Sequence, residues 1–75
     1  KKKLTFKEQR EYSEIEAVIA EVESYIKVLE GQINSAGSNF ELLQQLTKDE
    51  IAAREKLDYL LERWAYLEEI AQEQL

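Results

Sequence analysis

Seven apolar residues spaced three and four apart run from Tyr12 to Ile33 with no polar interruption, and they limit what this chain can fold into. With Tyr12, Ile19, Ile26 and Ile33 at heptad position a, Ile15, Val22 and Leu29 fall at d. That spacing places all seven on one stripe of an α-helix. A stripe confined to a and d is the narrow seam of a coiled coil, not the broad face of a globular helix. Such a seam needs a partner helix, and the chain carries one. With Leu57, Trp64 and Ala71 at a, the d positions are Ala53, Leu60, Leu67 and Gln74, of which only the last is polar.

The two seams match when they run antiparallel. In that register Leu29 meets Ala53, Ile26 meets Leu57, Val22 meets Leu60, Ile19 meets Trp64, Ile15 meets Leu67 and Tyr12 meets Ala71. Ile33 meets Glu50 at the far end. Large residues face small ones at both ends, which lets a two-helix core reach good packing density. The expected fold is therefore all-α: a two-helix antiparallel coiled-coil hairpin. At the edges Glu30 is expected near Arg54, with Val18 and Tyr25 on the stems of Arg63 and Lys56. Leu61 widens the other edge, and Glu16 is expected to face Glu68, an unfavourable pair.

Start and stop signals divide the chain further. Thr5 and Glu8 have capping-box spacing, so the first helix is expected over 6–34. Gly31 lies inside it, away from the seam. Ser35-Ala36-Gly37-Ser38 is the one clear break, with Gly37 suited to a left-handed residue. Two more boxes follow, Ser38 to Glu41 and Thr47 to Glu50. They predict a short cap helix over 39–46, with Phe40, Leu43 and Leu46 closing the tip, and a second long helix over 48–74.

The chemistry open to the chain is narrow. It has no His and no Cys, so the commonest general base, the commonest metal ligand and any disulfide are excluded. There is no Pro and little Gly, as long helices require. Acidic pairs such as Glu68-Glu69 and Asp49-Glu50 fall at solvated helix positions, and no phosphate-binding glycine loop is present. No apolar run reaches the ~20 residues of a membrane span, and the basic start has no apolar signal-peptide core. An acidic, cysteine-free chain of this kind is expected in the cytoplasm. No catalytic residue, metal, cofactor, membrane contact or small-molecule substrate is expected, and the isolated hairpin is expected to be a monomer.

Charge is distributed unevenly. Lys1, Lys2, Lys3, Lys7 and Arg10 against Glu8 give residues 1–10 a balance of +4, so the other 65 residues carry −10 of the net −6. A basic end on an acidic rod points to phosphate contact by Lys1, Lys2, Lys3, Lys7 and Arg10. Tyr59, Arg63, Tyr66 and Ile70 form a second stripe on the second helix. It suits boundary packing, docking of a partner or base stacking beside Arg63. Trp64 belongs to the seam, its indole N–H reaching to the edge for an acceptor.

Two segments carry a family resemblance. Lys3-Leu4-Thr5-Phe6-Lys7-Glu8-Gln9-Arg10-Glu11 resembles the K-L-[ST]-[YF]-K-E-Q-R-E start of the C-terminal domain of Uup-type ABC-F ATPases. Leu60-Leu61-Glu62-Arg63-Trp64-Ala65-Tyr66-Leu67-Glu68-Glu69 resembles the L-L-E-R-W-x-x-L-E-E segment that ends it. The resemblance covers nearly the whole chain. It departs at Ser13-Glu14-Ile15, where family members carry an early proline, and in its acidity beyond residue 10. It implies a hairpin domain excised from a larger two-cassette ATPase with no membrane domain, which itself uses ATP and Mg. It further implies an accessory role in binding DNA or ribosomal RNA, through the five basic residues above and Arg63. The alternatives are a spacer or protein-docking hairpin and, by periodicity alone, the coiled-coil arm of a tRNA synthetase.

Overall fold

The computed structural model describes residues 3–73. Two helices account for nearly all of them, α1 (Phe6–Ser35) and α2 (Phe40–Glu73), lying antiparallel in a rod of 55 × 16 × 15 Å. A 34-residue helix is ~51 Å long, so α2 alone spans almost the full rod.

The expected capping box starts α1. The Thr5 hydroxyl oxygen accepts from the Glu8 N–H at 3.1 Å, and the Thr5 N–H donates to Glu8 Oε1 at 3.0 Å. At the other end the Ala36 N–H donates to the Ile33 carbonyl, and Gly37 takes a φ of 61°, a left-handed conformation that favours glycine. The chain then re-enters a helix through Asn39, whose Oδ1 accepts from the Leu42 N–H at 3.1 Å. Asn39 therefore caps α2, where the sequence pointed to Ser38. Both residue types cap well, and the turn geometry decides between them.

The separate cap helix does not form. The segments expected at 39–46 and 48–74 are one continuous helix as far as Glu73, and Gln74 lies outside the described residues. Leu43 and Leu46 occupy a and d in the same frame as Ala53 and Leu57, and Ala36 is the next d position of α1. Continuing α2 straight therefore extends the seam by one layer, Leu46 against Ala36. Leu46 is buried, Leu43 is half-buried and Ala36 packs against the same cluster. Glu50, the acidic member of the supposed third box, instead binds Arg54 one turn ahead. Phe40 does not close the tip; it is 71% exposed.

The core is a row of seam residues in two clusters. Val22, Ile26, Leu29, Leu46 and Ala53 form the one nearer the turn. Ile15, Leu67 and Ile70 form the one nearer the termini, with Tyr12, Ile19 and Trp64 against it. Leu60 packs against both and joins them. Leu4 belongs to the second cluster and is buried, although it precedes α1 in the basic start of the chain. An apolar residue just before an N-cap often packs on the fourth helical residue, but that residue here is Gln9, and Leu4 packs across to α2 instead. This anchors Lys3 at the base of the hairpin, beside the end of α2.

Among the described residues no group of side chains could hold a metal ion, and no helix is long and apolar enough to cross a membrane.

Candidate nucleic-acid interface

The base of the hairpin is built by the first two turns of α1, the segment before it and the last turns of α2. Lys3, Lys7 and Arg10 are all exposed there. Lys7 and Arg10 are three residues apart and occupy outward heptad positions, so they share one face of α1. Lys1 and Lys2 lie outside the described residues. Of the carboxylates near this face, Glu8 is tied into the capping box and Glu11 is tied to α2.

That tie sets the position of Arg63. Its Nε and Nη2 donate to the two carboxylate oxygens of Glu11 at 2.8 and 2.6 Å, a bidentate pair between the helices. Its guanidinium carbon lies 5.1 Å from the centre of the Tyr66 ring, within cation–π range. Arg63 therefore reaches one heptad, about two turns, further toward the base than Val18, over which the sequence placed it. Its side chain is long enough to choose an anion over an apolar neighbour. Val18 instead shares a shallow groove with Ile15, Glu11, Glu14 and Leu60.

The second stripe on α2 does not stay together. Ile70 is buried in the core, Tyr66 lies under Arg63, and Tyr59 is 61% exposed. Glu30 and Arg54 do meet, at 2.8 Å. Tyr25 and Lys56 line one groove of 380 Å³ with Ala52 and Ala53. Glu16 and Glu68 each find a donor from an a position. Tyr12 donates its hydroxyl to Glu68, which also accepts from Gln72, and the Trp64 indole donates to Glu16 at 3.3 Å. These neutral donors offset the repulsion that the heptad register implies.

The electrostatics follow these contacts. The hydrogen bonds from Arg63 hold the Glu11 carboxyl below the usual carboxylate range, with Lys7 adding to the effect through its charge. The same pair raises Arg63, so it stays charged at every accessible pH. The hydrogen bond to Glu68, followed by burial and the charges of Glu68 and Glu16, raises the Tyr12 phenol.

A depressed carboxyl contributes stability above its unfolded pKa of about 4.3 and loses it as pH falls through the folded value. Replacing Glu11 by Gln is therefore expected to lower stability near neutral pH. Both side chains are about one-third exposed, so the loss is at most about 1 kcal/mol. The difference from the unaltered chain should shrink below about pH 4. Urea unfolding across this pH range measures it; a difference that grows with acid would contradict the assignment.

Comparison with known proteins bears on this geometry. The sequence profile of the ABC transporter C-terminal domain matches residues 3–69. The chain belongs to the ABC transporter C-terminal domain family. The matched span starts with the segment Lys3 to Glu11 and ends with Leu60 to Glu69, the two segments that carry the resemblance to ABC-F ATPases. The Arg63–Glu11 pair thus joins the two ends of the family domain.

A relative is the uncharacterized ABC transporter ATP-binding protein YfmR of Bacillus subtilis (strain 168), 37% identical over 67 residues. The match covers 89% of this chain and 11% of that protein, so the chain corresponds to a small part of it. No solved structure matches the chain. Three residues of the domain escaped the sequence reading: Leu4, Glu11 and Asn39. An apolar residue before an N-cap signals the first. A carboxylate at the next g position toward the base from an edge arginine signals the second.

Proposed function

We propose that this domain is the accessory nucleic-acid contact of a larger cytoplasmic ABC-type ATPase, docking the base of its hairpin end-on against DNA or ribosomal RNA. One observation carries the reading. Lys3, Lys7 and Arg10 are exposed at one end of a rod whose shaft is acidic, and Lys1 and Lys2 precede them in sequence. Lys1, Lys2, Lys3, Lys7 and Arg10 would neutralise phosphates, and Arg63 supplies a further cation at the same end. The acidic shaft repels a polyanion along its length, so contact is confined to the end and is largely independent of base sequence. ATP and Mg belong to the cassettes of the parent protein, not to this domain. A second reading, a spacer or docking hairpin with no nucleic-acid role, draws on the same acidic shaft.

Titration of the chain with a DNA duplex and with a branched DNA separates the two readings. Weak binding in the non-specific range of ~10⁻⁴ to 10⁻⁶ M is expected, falling steeply with salt as counterions are released. Changing Lys1, Lys2, Lys3, Lys7 and Arg10 to Gln should abolish it. Undiminished binding would move the interface elsewhere, and no binding by the unaltered chain at low salt would favour the spacer.

A further inference from the structure

We infer that Glu11 is the resident occupant of a phosphate site, and that nucleic acid gains Arg63 by displacing the Glu11 carboxylate. The inference rests on the nucleic-acid reading above and adds a site to it. A carboxylate and a phosphodiester offer a guanidinium the same fork of two oxygens. Arg63 already holds such a fork, with contacts of 2.8 and 2.6 Å to Glu11. Tyr66 lies against the guanidinium at 5.1 Å and keeps it oriented. Lys7, one turn before Glu11 on α1, acts on the same carboxylate through its charge. Glu11 therefore masks Arg63 and offsets the positive charge of Lys7 beside it. The other carboxylate acting on Arg63 is Glu8, whose Oε1 is already bound to the Thr5 N–H.

Three features make the exchange feasible. The pair is open to solvent on one side, with the side chains 30% and 34% exposed, so a phosphate can reach it. A partly exposed ion pair contributes little to folding, so opening it leaves the hairpin intact. Lys3, Lys7 and Arg10 lie at the same end, so a phosphate backbone seated on them passes close to the pair.

The experiment is a duplex titration of the unaltered chain and of Glu11→Gln, Glu14→Gln and the double variant Glu11→Gln/Arg63→Gln, with circular dichroism confirming the helices of each. Glu14→Gln removes the same charge one turn further along α1. At about 50 mM salt, Glu11→Gln is expected to bind about tenfold more tightly, with a salt dependence steeper by about one unit, as one added phosphate contact requires. Glu14→Gln should gain much less and keep the original slope. The double variant should lose the gain. A gain for Glu11→Gln no larger than for Glu14→Gln, or one that survives the loss of Arg63, overturns the inference.

The unaltered chain gives a check free of substitution. On saturation with duplex the Arg63 Nε–H resonance should move, while that of Arg54, held by Glu30 and Glu50 toward the turn, should not. A stationary Arg63 signal also overturns the inference. Failure of the broader reading is separately visible: binding undiminished by Gln at Lys3, Lys7 and Arg10 discards that interface while the Glu11 comparison still reads the pocket. No binding by any variant discards both.

Discussion

Replacing Leu67 by Ala is expected to lower the stability of the hairpin by about 2–5 kcal/mol, among the largest effects of any single truncation in the chain. Leu67 is the one large side chain with no exposed surface among the described residues. It sits in the cluster nearer the termini with Leu4, Ile15 and Ile70. Two helices offer no third layer that could collapse into the cavity, so the loss should fall toward the upper part of that range. A domain of this size shifts its midpoint by about 4–8 °C per kcal/mol, so thermal unfolding followed by circular dichroism should fall by well over 10 °C. Leu67→Asp should not fold at all, because it buries an unpaired charge. Leu61→Ala, at an edge position 44% exposed, is the control and should cost far less. Equal losses at the two positions would mean that the seam does not run through Leu67.

The second large effect is expected at Lys48. If a helix started there behind a Thr47 cap, proline at position 48 would occupy the first helical position and be tolerated. In continuous α2, Lys48 lies well inside the helix. Proline then removes the hydrogen bond to the Gln44 carbonyl and its ring collides with that carbonyl, at a cost of about 3 kcal/mol or more. Phe40→Pro is the matched comparison. Phe40 opens α2 behind the Asn39 cap and is largely exposed, so proline there should cost little. Urea unfolding of the two variants gives opposite rankings for the two architectures. A benign Lys48→Pro would restore the bent helix.

How far the sequence could be read follows from which interactions are periodic. Tyr12 to Ile33 and Ala53 to Ala71 repeat every 3.5 residues, so pairing and direction follow from side-chain size and position alone. The local signals at Thr5 and Gly37 held because nothing competed with them. The box at Thr47 failed although its spacing was right. A capping box shows only that a helix can start at a position. Whether it starts there depends on whether the preceding residues can stay helical, and they can because Leu46 continues the seam against Ala36.

The base of the hairpin was legible only in part. Exposure of Lys7 and Arg10 follows from their heptad positions, since charged residues outside a seam remain in water. The direction of Arg63 does not follow from heptad position. A long edge arginine can reach more than one g position of the facing helix, and Val18 and Glu11 both occupy g positions there. Residue order alone dictates an antiparallel helical hairpin with half of its basic residues in the first ten, because seam periodicity and charge position are properties of that order. Docking of the two helices is what keeps α2 unbroken, makes Leu4 core and puts Arg63 on Glu11. Each of these depends on which of several permitted partners lies close once the two helices have docked.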